Sequence, residues 1–178
     1  ITSERNKMNK RIVFYYIVFI VCQSIYPQSK LSFIPPTYDI TDSLIIDFNK
    51  DNIQDFIMVL ESNLQDSLEE EYPRILIALQ GIDSFNYKMS AINDSLLLCK
   101  DCGGFFDPYE GISFDQDTLL ITQWGGSSWR WGVEYSCVYD RNDNTWYIVK
   151  VHEFAHSNLD PENTWEEKTN YIYKKFNK

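Results

Sequence analysis

From Ser43 onward, apolar runs of three to eleven residues alternate with clusters of turn residues. "SLIID" is followed by "FNKDN" and then "DFIMVLE". "RILIALQ" is followed by "GIDS", then "FNYKMSAI", "NDS" and "LLLC". After "DPYEG" come "ISF", "DQD", "TLLITQW", "GGSS" and "WRWGVEYSCVY", and "DRNDN" leads into "TWYIVKVHEF". Short runs rich in β-branched and aromatic residues, bounded by Gly, Asn, Asp and Ser, predict antiparallel strands joined by hairpins. The alternation is cleanest from Trp129 to Tyr139: Trp131, Val133, Tyr135, Cys137 and Tyr139 share one face, and Gly132, Glu134, Ser136 and Asp140 the other. The fold class expected is all-β, an antiparallel sandwich or a partial-propeller-like sheet. The polar stretch "NLQDSLEEEY", stopped by Pro73, reads as either one short helix near 63–72 or a loop.

The beginning of the chain breaks this pattern. "MNKR" from Met8 supplies positive charge and Ile12 to Cys22 is an unbroken apolar run. That run is shorter than the ~20 residues a membrane span needs, and it describes a secretory signal helix. Residues 1–24 are therefore expected to be an upstream extension and signal peptide, 25–38 a Pro-containing linker, and 39–178 a single β-rich domain. Cys22 offers a lipid attachment point, but Val21 before it is bulkier than a lipobox takes, so export without a lipid anchor is expected. No transmembrane segment is expected in the mature chain.

Charge narrows the partners. The formal net charge is −10 and no basic block follows the leader. Nucleic acid and anionic membrane surfaces both select for clustered Lys and Arg, so neither is expected; a protein or a glycan is.

Four local patterns carry candidate chemistry. In "DFNKDNIQD", Asp47, Asn49, Asp51 and Asp55 occupy loop positions 1, 3, 5 and 9, and Ile53 at position 7 offers its carbonyl. Alternating Asp and Asn in a tight loop supply the hard oxygens that calcium prefers. The residue after Asp51 needs a left-handed conformation, and Asn52 suits it next best after glycine. An EF-hand would need Glu at position 12, where Met58 stands, and the flanks read as strands. The loop instead resembles the Asp-x-Asp-x-Asp-Gly-x-x-Asp loops of the FG-GAP and VCBS families, and that resemblance implies a calcium ion held between two strands. An Asx-rich turn without metal is the alternative.

Both histidines lie in "VHEFAHSN". On a helix, His152 and His156 could share a zinc with Glu162 as third ligand and Glu153 as general base, the layout of a small zinc peptidase. On a strand the same histidines share a face but sit ~13 Å apart at about 3.3 Å per residue, beyond the reach of one ion. "TWYIVKV" before the motif and "SNLDPEN" after it favour the strand, and with it no catalytic residue.

Cys99 and Cys102 in "CKDCGG" read as a disulfide bracing a turn, or as one knuckle of a zinc ribbon. "WGGSSWRW" crowds Trp124, Trp129, Arg130 and Trp131 around a hairpin, as a ligand platform or as a structural plug. Taken with "DPYEGI" and "TWYIV", these stretches resemble a group of exported bacterial β-rich proteins to which no activity is attached. The function expected is a non-catalytic, calcium-stabilised binding domain of the cell envelope. The alternatives are the zinc peptidase and a ligand-free structural envelope protein.

Overall fold

The computed structural model describes residues 29–64, 72–160 and 162–176, with side chains omitted at 171–175. The segment expected to be a signal helix, Cys22 and most of the 63–72 stretch lie outside the described residues.

Among the described residues, nine strands form two antiparallel meanders. The first sheet takes β1 (Tyr38–Ile46), β2 (Asp55–Ser62), β3 (Arg74–Gly81) and β4 (Tyr87–Asn93) in sequence order. The second takes β5 (Tyr109–Asp115), β6 (Thr118–Gly126), β7 (Trp129–Asp140), β8 (Thr145–Ser157) and β9 (Thr164–Lys175), again in order. The only helical element among the described residues is a 3-10 turn at Lys30–Phe33.

The sheets pack face to face. One core joins Ile57, Val59, Leu76, Ala78 and Ala91 of the first sheet to Leu119, Ile121, Cys137, Trp146 and Ile148 of the second. Cys137 is fully buried, and loss of water pushes its thiol up to about 12, which makes it an inert apolar side chain. The inner face of β7 is the one that its alternation marks: Cys137 is in the core, and Tyr135 and Tyr139 pack against it.

A second cluster lies on the other face of the first sheet, where Phe56, Met58, Leu60, Ile75, Ile77 and Leu79 are buried. Phe33, Ile34 and Tyr38 pack onto it. The described part of the expected 25–38 linker is therefore a cover over this sheet rather than a free tether. Two-sided burial explains why "FIMVL" and "ILIAL" are unbroken apolar runs.

The crossover from β4 to β5 is pinned by two buried amides. Asn93 receives the N–H groups of Ser95 (3.0 Å) and Leu96 (2.8 Å) and donates to the Phe176 carbonyl. Gln123, wholly buried on β6, accepts from Leu98 N at 2.7 Å and donates to Leu96 O at 3.0 Å. Buried amides must be paired, and these pairs fix where the next residues, Cys99 to Pro108, lie.

Candidate functional sites

The β1–β2 loop folds on its own carboxylates. Asp47 accepts the backbone N–H groups of Asp51 (3.1 Å) and Asn52 (2.9 Å). Asn49 Oδ1 accepts from Asp51 N at 3.0 Å, and Asp51 Oδ1 from Ile53 N at 2.8 Å. Asn52 takes the left-handed conformation at φ 66°, as its position demands, and Lys50 does so at φ 60°. Asp55 lies beneath the loop with no exposed surface, receiving Phe48 N at 3.0 Å and Gly81 N at 2.8 Å. Burial pushes its carboxyl up to about 6, against the opposing pull of the N–H groups of Gly81, Phe48 and Asn49; the charge on Asp51 adds to the rise. Phe48, the second loop residue, is the buried anchor, its ring 5.0 Å from Trp146 and 4.6 Å from Tyr139.

A hard cation could draw on Asp47, Asn49, Asp51 and the Ile53 carbonyl, since a carboxylate oxygen that accepts one N–H keeps a lone pair. Among the described residues no three Asp, Glu, His or Cys side chains converge at ligating distance. Any such ion therefore depends on the Asn49 amide and backbone carbonyls, with Asp55 shielded below.

The histidine motif is extended. Residues 145–157 form β8, so His152 and His156 lie on one face four residues apart, while Glu153 points to the other. Both ring nitrogens of His152 face carboxylates: Nδ1 lies 2.9 Å from Glu134 on β7, and Nε2 2.7 Å from Glu166 on β9. Lys168 sits 2.7 Å from the same Glu166 oxygen; its hydrogen bond first, and that of His152 second, hold this exposed carboxyl below its usual range. His156 is an exposed side chain opposite Arg130, and Glu162 lies in the turn before β9. The helix that a shared zinc requires is not formed, because "TWYIVKV" is β-prone and pairs on both sides. We expect Glu153→Gln to match the wild type in peptide-library hydrolysis and in melting temperature. An activity carried by the wild type and lost in the variant would reinstate the peptidase.

Cys99 and Cys102 are joined as a disulfide with Cα atoms 5.1 Å apart. The turn it closes brings "CGG" against "WGGSS". Gly126 N donates to Gly103 O at 2.8 Å, and Gly104 bridges Gly126. At Gly125 a Cβ would lie 2.6 Å from the Gly103 carbonyl and 2.7 Å from the Trp131 ring, while Gly126 sits at φ +97°. Only glycine allows this backbone approach. Two motifs twenty residues apart in sequence are therefore one structure.

Strand alternation splits the tryptophan cluster. Trp129 and Trp131 point toward the inner side of the second sheet, Trp131 lying across Gly125. Trp124 and Arg130 point outward, opposite Gly132 and Gly126. The Arg130 guanidinium stands 5.2 Å from the Trp124 ring centre and 5.0 Å from that of Phe106, and donates to Gly126 O at 3.2 Å. Trp124 donates its indole N–H to Glu110. Phe105 and Phe106, absent from the sequence-based set, arrive on the disulfide loop and remain 78% and 48% exposed. "GGFF" following a cystine was their only sequence signal. Phe154 extends this face, its ring covering Gly132.

No family model, curated protein or solved structure matches this chain. No helix among the described residues is long and apolar enough to cross a membrane.

Proposed function

We propose that this chain is a non-catalytic binding domain of an exported envelope protein, and that its contact surface is the outer face around Arg130. One observation carries this: Phe106 and Trp124 stand exposed against Arg130 on the outer face of the second sheet, with Phe105 exposed beside Phe106. Scattered exposed apolar side chains are ordinary, but contiguous large rings held by buried glycines and a disulfide mark an interaction site. The test is a glycan and peptide array read with the wild type, Trp124→Ala and Phe105→Ser. A ligand retained by the wild type and lost by both variants, each melting within a few degrees of it, is the expected result. An array without any such ligand would leave the structural envelope role in its place.

Calcium belongs to the same proposal as a fastener of the β1–β2 hairpin. Asp47 and Asp51 share one turn above Asp55, and a cation relieves their mutual repulsion while binding the folded state alone. Extracellular calcium modules have dissociation constants of about 10⁻⁴ to 10⁻³ M. At roughly 1 mM free calcium, linkage then adds about 0.4–1.4 kcal/mol, a rise of a few degrees in melting temperature. Magnesium should do less, because it demands tighter octahedral geometry. Asp51→Ala should remove the response. A melting curve of metal-free protein that ignores millimolar calcium would make this loop an ordinary Asx turn.

A further inference from the structure

Arg130 has no carboxylate partner among the described residues, in a chain with 26 acidic and 16 basic residues. The arginine on β3, Arg74, is by contrast bound by two acids, Glu61 and Asp107. Of the five N–H donors on the Arg130 guanidinium, the Gly126 carbonyl takes one. The Phe106 and Trp124 rings and that carbonyl already hold the side chain in place, so a ligand need not immobilise it.

The surroundings restrict what such a donor can receive. Glu110 lies beside Trp124, and Glu134 and Glu166, the latter paired with Lys168, stand farther along the same outer face. A dense polyanion laid over Arg130 would meet these carboxylates, which argues against polyphosphates and heavily sulfated chains. A ligand with one negative charge, hydroxyl donors around it and an apolar C–H face meets each group in turn. The charge goes to Arg130, hydroxyls to the glutamates, and the C–H face to the open rings of Phe105 and Phe106.

We propose that this surface binds a lone hexuronic-acid unit in an otherwise neutral glycan, its carboxylate paired with the Arg130 guanidinium. This rests on the binding role proposed above and names its ligand class. The probe is glucuronosyl-xylobiose, a trisaccharide with a single carboxylate, with its methyl ester as the uncharged control, titrated into the intact disulfide-bonded protein and followed by calorimetry and tryptophan fluorescence. The acid should bind saturably, and the ester at least ~10-fold more weakly, as expected for loss of a charge-assisted hydrogen bond. Arg130→Gln should lose a similar factor, and Arg130→Lys should recover only part of it, because a point charge cannot form the planar fork. Should Arg130→Gln fail to fold, Phe105→Ser, altered at a side chain 78% exposed, tests the same surface and should also weaken binding. Equal affinity for acid and ester, or full affinity in Arg130→Gln, would overturn the proposal. So would Arg130-dependent binding of a sulfated chain alone. If neither trisaccharide binds while a peptide on the array is lost in Trp124→Ala, the sugar assignment falls and the binding role stands. If nothing binds at all, both fall.

Discussion

Replacing Arg74 with methionine is expected to destabilise the protein by about 3–5 kcal/mol, the usual penalty for orphaning a buried charge. The Arg74 side chain is 2% exposed and that of Glu61 14%. Nε of Arg74 donates to Glu61 Oε2 at 3.0 Å, and Nη1 to Asp107 Oδ1 at 2.6 Å. Burial alone would lower the arginine's proton affinity, but the hydrogen bonds of Asp107 and Glu61 outweigh it and hold the guanidinium above its ordinary value. Asp107 is 39% exposed, so water takes over much of its share. Glu61 keeps only Lys100, 3.4 Å away at the rim. At roughly 2–4 °C per kcal/mol the melting temperature should fall by about 6–20 °C. The double variant Arg74→Met, Glu61→Leu should recover part of that loss, because removing both charges leaves neither stranded. A double variant as unstable as the single one would place the cost in shape rather than charge. The effect should also reach the proposed contact surface. Asp107 accepts Tyr109 N at 2.9 Å, and Tyr109 donates to Asp42 at 2.8 Å, so Arg74 anchors the loop that presents Phe105 and Phe106.

The second large effect concerns Trp146. Its ring has no exposed surface and lies 5.0 Å from Phe48, 5.5 Å from Tyr139 and 6.2 Å from Phe176. Trp146→Ala should cost about 3–5 kcal/mol, as for other deleted core aromatics. Trp146→Phe should cost far less than the ring's size suggests, because the indole N–H has no hydrogen-bond partner among the described residues. Deleting an unsatisfied donor recovers its desolvation penalty of ~1–3 kcal/mol, which offsets part of the lost contact. Denaturant melts of the two variants decide this, and equal losses would show that the N–H is paired in solution. Because Phe48 is the loop's anchor, Trp146→Ala should also weaken any calcium response of the β1–β2 hairpin.

Periodicity made much of this architecture legible. Alternation from Trp129 to Tyr139 identified the inner face of β7, and "TWYIVKV" announced a strand long enough to carry both histidines with it. Asn52 marked its left-handed turn because few other side chains tolerate one. β9 escaped because "TWEEKTNYIYKK" carries charges on both faces, as an edge strand can when half of it faces water. The cover at Phe33 and Ile34 escaped because nothing local separates a linker from a lid. Its signal lay elsewhere, in the unbroken apolar runs of β2 and β3, whose second face needed something to lie on it. The proposed contact surface was half legible. Trp124 and Arg130 stood out as residue types, but Phe105 and Phe106 reach them only through glycine contacts between distant segments, and one strand's alternation sent Trp129 and Trp131 elsewhere.

The sequential order of the two sheets has a consequence for how the chain is made. β1 to β4 are complete before any of the second sheet has been synthesised, and each pairs with its sequence neighbour, so the first sheet can assemble early from local contacts. Its inner face, with Ile57, Val59, Leu76 and Ala78, is then covered in stages, by Leu119 and Ile121 with β6, Cys137 with β7, and Trp146 and Ile148 only with β8. During that interval "FIMVL" and "ILIAL" form an open, β-prone, uncharged surface of the kind that seeds intermolecular strand pairing. Truncation anywhere before β8 should therefore yield not a smaller soluble domain but an aggregating one.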